Sequence, residues 1–112
     1  MLYVLNKMDK KIARIAIDKG SENAFKEAME NFEAIVKEWQ EGKFTSQQDA
    51  YHKLYNAVDI KNAAISNRYD GITGGRYLQT VMGILQDGHI TEADISGFSE
   101  DSKEVIKLWM SK

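Results

Sequence analysis

The chain has 112 residues, 43% apolar and 29% charged, with 15 basic against 17 acidic side chains and a net charge of −2. That length is one domain spanning residues 1–112, long enough to bury a core without metals or disulfides. The charge balance gives no general pull toward nucleic acid or an anionic membrane, and no stretch approaches the roughly 20 apolar residues of a membrane span. Cysteine is absent, which excludes disulfides, thiolate nucleophiles and cysteine-ligated zinc and suits a cytoplasmic protein. Proline is absent as well, so glycines and Ser/Thr caps must shape the turns.

Residues 1–19 read in two ways. Leu2, Val4, Ile12, Ala13, Ile15 and Ile17 permit a β-hairpin turning at Met8-Asp9-Lys10. Ile12, Ala13, Ile15 and Ala16 also fit one face of a helix capped by Asp9. Three isoleucines, two of them flanking Arg14, favour the hairpin. The opening Met-Leu-Tyr-Val-Leu-Asn is too short an apolar run for a signal peptide. Lys7, Lys10, Lys11, Arg14 and Lys19 make this segment basic, whereas Glu92, Asp94, Glu100 and Asp101 make the later part acidic. Both read as solvated faces.

From residue 21 to 112 the pattern is helical. Over 22–41, Phe25, Ala28, Met29, Phe32, Ile35, Val36 and Trp39 recur at steps of three and four, which predicts a helix with this stripe facing a core. Ser21 is its expected N-cap and Gly42 its expected stop. A second helix is expected over 46–69, with a capping box formed by Thr45 and Gln48. Tyr51, Leu54, Tyr55, Val58 and Ile65 line one side, and alanines at 50, 57, 63 and 64 widen it. Gly71 should end it. A third helix is expected from about 74 to 86, ended by Asp87-Gly88. A short piece follows Thr91, and Ser99 should cap a last helix over 100–110 with Val105, Ile106 and Trp109 inward. The fold class is therefore mainly α, a compact bundle of four to five helices, with the N-terminal hairpin adding a small β element.

The segment Asp70-Gly71-Ile72-Thr73-Gly74-Gly75-Arg76-Tyr77 concentrates three of the eight glycines beside an arginine. With Thr73 as a cap, Gly74 and Gly75 would offer helix N-terminal amides to an anion, and Arg76 would clamp it. Arg68 and Tyr69 would close the other side. The segment is not a P-loop, because no Lys-Ser/Thr follows. The plainer reading is a helix end followed by a close helix crossing. Tyr69, Arg76 and Tyr77 are also residue types that concentrate binding energy at protein interfaces.

Other chemistry finds little support. His52 and His89 lack ligand-spaced companions, so no metal site is expected. Asp59 reads as a solvated helix position, and no serine or carboxylate pair has catalytic spacing. A helix-turn-helix over Val81–Ile95 would present Glu92 and Asp94 to phosphates, which argues against DNA. The expectation is a small non-catalytic cytoplasmic regulatory module, an adaptor or inhibitor. It would bind another protein through Arg68, Tyr69, Thr73, Gly74, Gly75, Arg76 and Tyr77, and could form a homodimer. It needs no cofactor. The alternative is a phosphate- or anion-binding protein or enzyme using Thr73-Gly74-Gly75-Arg76.

Overall fold

The computed structural model describes residues 5–111. Among these, four α-helices form: α1 (Lys7–Gln40), α2 (Gln47–Tyr69), α3 (Tyr77–Asp87) and α4 (Glu100–Met110). Two 3-10 turns, Gly74–Arg76 and Glu92–Ile95, lie between them, and no strand is present among the described residues. The mainly helical class expected from the sequence holds.

The N-terminal hairpin does not. Residues 7–19 are helical, while Leu2 and Val4 lie outside the described residues. Asn6 starts α1 by accepting the Asp9 amide at 2.8 Å. Ala13, Ala16, Ile17, Gly20, Ala24 and Ala28 are then buried along its length. That small-residue stripe admits other helices closely, and such packing outweighs the weak β preference of isoleucine.

The expected helix start at Ser21 is also absent, because α1 runs through it for 34 residues without interruption. Gly20 explains why no break is needed. A Cβ there would lie 2.4 Å from Ile84 Cγ2 and 3.0 Å from the Tyr69 hydroxyl. The glycine lets α3 and the end of α2 approach α1.

The helix ends follow the expected glycines more closely. Gly42, Gly71 and Gly88 take positive φ of 71°, 69° and 81° just beyond α1, α2 and α3. The start of α2 is shifted by one residue. Ser46, not Thr45, accepts the Asp49 amide at 3.0 Å, and the Thr45 hydroxyl donates to the Asp49 carboxylate. The Thr45–Gln48 box is thereby replaced. Helix α3 begins at Tyr77, after the 3-10 turn at the position where its first turn was expected.

The main core gathers Leu5, Ala13, Ala16 and Ile17 with Leu78, Val81, Met82, Ile84, Ile90, Ile95, Phe98 and Ile106. These come from the N-terminal part of α1, from α3, from the following turn and from α4. Val105 and Trp109 pack against the same cluster, as expected. Beneath it sits Asp9, 1% exposed. Its carboxylate accepts the Ser99 amide at 2.9 Å, the Ser99 hydroxyl at 2.6 Å and the Ser102 hydroxyl at 2.5 Å. An acid of α1 thus caps the N-terminus of α4, where the helix dipole favours it. The basic start and acidic later part meet again at Lys19 and Asp94, 2.6 Å apart.

Helix α2 contributes little to this core. It lies antiparallel along the distal part of α1 and makes a two-helix arm over residues 24–65, joined to the compact four-helix base. The molecule measures 55 × 26 × 25 Å, with a radius of gyration of 17.8 Å. A globular chain of this length has a radius of about 13 Å, and the arm accounts for the excess.

Candidate functional site

The expected contact residues divide into two groups. Arg68, Tyr69 and Tyr77 have internal partners. Arg68 holds Asp87 with two bonds, Nε at 2.8 Å and Nη2 at 3.2 Å. It passes directly over Gly83, where a Cβ would lie 2.2 Å from the guanidinium. Tyr69 packs against the core, and its pKa is pushed up to about 12, by burial first and by the Asp87 charge second. The Tyr77 hydroxyl accepts Arg14 Nε at 3.2 Å, and the Arg14 guanidinium lies 5.7 Å from the ring centre. The other residues stay at the surface: Thr73, Gly75 and Arg76 are exposed and Gly74 is half-buried. Thr73 makes no side-chain capping bond, and Gly74–Arg76 form a single 3-10 turn. The capped α-helical N-terminus that the anion reading assumed is therefore not formed at these residues.

A second cluster was not anticipated. Glu27 of α1, Lys61 and Arg68 of α2, and Asp87 and His89 at the end of α3 line an open cleft of about 430 Å³. His89 Nε2 lies 2.8 Å from the Glu27 carboxylate, and Lys61 lies 3.5 Å from it. The hydrogen bond from His89 holds the Glu27 carboxyl below its usual range. Asn23 donates to the His89 carbonyl at 2.7 Å. Glu27 and His89 are 62 residues apart, so spacing along the chain carried no signal of the pair. The carboxylates of Glu27 and Asp87 are both matched by cations within the cleft. A Tyr69 phenol raised to about 12 stays protonated at neutral pH and is a poor proton acceptor. The arrangement pairs the charges at the base of the arm, while the buried Tyr69 hydroxyl and His89 Nδ1 have no hydrogen-bond partner among the described residues.

The third surface is the arm itself. Its two flanks differ. Ion pairs bridge the helices on one: Glu38 with Lys53 at 3.3 Å, and Glu27 with Lys61 at 3.5 Å. The other flank is apolar. At 3.6 residues per turn, Phe25, Met29, Phe32, Val36 and Trp39 share one side of α1, and Tyr51, Leu54, Tyr55 and Val58 share one side of α2. Antiparallel packing brings these two sides to the same face. Val36, Trp39, Gln47, Tyr51 and Leu54 line a shallow groove of about 390 Å³ there.

The expected inward stripe of these helices is thus only half used. Ala28, Ile35 and Ala50 are buried between the helices, whereas Phe25, Met29, Trp39, Tyr51, Tyr55 and Val58 are exposed. Seven of the eleven large exposed apolar side chains among the described residues lie on the arm, which makes this a patch rather than normal scatter. Only Ile60 of the seven falls on the opposite flank. Several of the aromatics are held in place. Trp39 Nε1 donates to Gln47 Oε1 at 2.7 Å across the hairpin, and the Tyr51 and Tyr55 rings stack at 6.4 Å.

Among the described residues, no group of three His, Asp or Glu converges as metal ligands, and no helix is long and apolar enough to cross a membrane. No family model, curated protein or solved structure matches the chain.

Proposed function

We propose that this protein works by binding, as a non-catalytic interaction module, and that the apolar face of the arm is its contact surface. One observation carries the reading. Helix α2 has 23 residues and buries a single one, Ala50, although it carries Tyr51, Leu54, Tyr55 and Val58 at helical spacing. A helix that buries so little is marginal on its own, because helices in proteins draw most of their stability from packing an amphipathic face. Binding supplies that packing. Aromatic side chains already fixed by Gln47 and by each other lose little freedom when a partner covers them.

This moves the contact surface away from the junction at Arg68–Tyr77, where the sequence suggested it. Arg68, Tyr69 and Tyr77 serve the base of the arm instead. A regulatory adaptor or inhibitor of the cytoplasm remains the role most consistent with such a module, and the lack of cysteine suits that compartment. A photo-crosslinking amino acid at position 55 tests the surface. It gives one defined cross-linked species in native cells, while the same probe at exposed Ile15, off the face, does not. Equal or absent cross-linking at both positions contradicts the reading.

A further inference from the structure

We propose that the occupant of the arm face is a second copy of this chain, so that two arms pack face to face into a four-helix bundle. The inference rests on the reading of that face as the binding surface, and adds the identity of the partner.

The exposed area of the face is of the size a stable dimer uses. Phe25, Trp39, Tyr51 and Tyr55 are 51%, 49%, 67% and 61% exposed. An aromatic side chain buries about 150–250 Å² when fully covered, so these four offer roughly 400–500 Å². Met29, Val58 and the half-buried Phe32, Val36 and Leu54 raise the face to roughly 700 Å², near the approximately 800 Å² each partner contributes to a stable interface.

The centre of the face carries no ionised side chain: Phe25, Met29, Phe32, Val36, Trp39, Gln47, Tyr51, Leu54, Tyr55 and Val58 make it, and the exposed acids Glu33 and Asp59, four residues beyond Met29 and Tyr55, stand at its edges. A two-fold contact sets a surface against itself, so any charge at its centre would meet its like. The centre of this face has none to repel its copy, and the bridging pairs Glu38–Lys53 and Glu27–Lys61 stay on the solvent flank.

Two antiparallel helices with an apolar stripe wider than their mutual contact are half of a four-helix bundle. A second identical half completes it without any further element.

The test measures mass by sedimentation equilibrium from about 1 to about 300 µM, a range that brackets micromolar affinity. The purified chain passes from 12.7 kDa to twice that mass. The double variant Tyr51→Glu/Tyr55→Glu keeps its helical circular dichroism and stays monomeric, with association weakened at least about 100-fold. Met29→Lys, on the other helix of the face, does the same and serves if the double variant misfolds. Arg76→Ala, at the junction, dimerises like the wild type. A wild-type chain that remains at 12.7 kDa throughout overturns the proposal, as does a dimer indifferent to both face variants. A monomer whose position-55 probe still cross-links to a different protein refutes self-association and leaves the face as a binding surface. A monomer with no cross-link refutes both.

Discussion

Replacing Asp9 with alanine lowers the stability of the fold by about 3 kcal/mol, since hydrogen bonds to a charged group contribute about 1.5–3 kcal/mol each and the Ser102 hydroxyl, which loses this acceptor, stays buried. Three donors converge on this carboxylate, and Ser102 is itself fully buried. Burial alone would raise the Asp9 pKa. The bonds from Ser102 and Ser99 outweigh it and hold the carboxyl below its ordinary 3.8. The sign of the pH dependence follows. A group with a depressed folded pKa contributes its full stability above the unfolded value and loses it as pH falls through the folded value. Asp9 therefore adds no slope near neutrality and an acid loss below about pH 4. Chemical denaturation at several pH values checks both points. Asp9→Asn keeps the shape, loses less than alanine, and flattens the acid limb. Asp18→Ala, exposed on the same helix, changes stability by less than about 0.5 kcal/mol. An acid limb unchanged in Asp9→Asn contradicts this account of the buried carboxylate.

The second large effect is at the crossing of α1 and α3. Ile84 is fully buried, with its Cγ2 set against the backbone of Gly20. Ile84→Ala costs about 3 kcal/mol, within the range of about 2–5 for emptying a fully packed isoleucine site. Gly20→Ala works in the opposite sense, by crowding. A helix interior gains about 1 kcal/mol from that exchange, but overpacking a filled core costs about 1–3 kcal/mol. With the new Cβ 2.4 Å from Ile84 Cγ2, the net change is destabilising. The double variant Gly20→Ala/Ile84→Ala tests the contact directly, because each change relieves the other. Its loss is smaller than the sum of the two single losses, measured by urea denaturation.

Much of the architecture was legible in the sequence, for local reasons. Ser99 before Glu100 and Asp101, and glycines at 42, 71 and 88, are signals carried by a few adjacent residues, and all mark helix ends in the structure. What failed depended on distant partners. Ser21 reads as a helix start because nothing nearby in sequence announces Ile84. Residues 12–17 read as a strand of a hairpin because isoleucine spacing is ambiguous until the small residues at 13, 16 and 20 meet other helices. The capping of α4 by Asp9 spans 90 residues or more, and the Glu27–His89 pair spans 62.

The proposed binding surface shows the same division. The stripe from Phe25 to Trp39 and from Tyr51 to Val58 was visible as periodicity. Periodicity shows that a face is apolar, but not whether this chain covers it. The sequence drew attention instead to Arg68–Tyr77, where unusual residues cluster. Three of those side chains turned out to be committed within the molecule: Arg68 to Asp87, Tyr69 to the core and Tyr77 to Arg14. Glycine and arginine at a helix junction serve close packing and ion pairing as readily as they serve a ligand.

The central claim is that Trp39 and its neighbours face water in one copy and apolar side chains in two. Tryptophan fluorescence in a Trp109→Phe background reports Trp39 alone. The emission maximum moves to shorter wavelength as concentration rises, and its midpoint coincides with the change in mass. An emission maximum fixed at that of a water-exposed indole, at every concentration, contradicts the account.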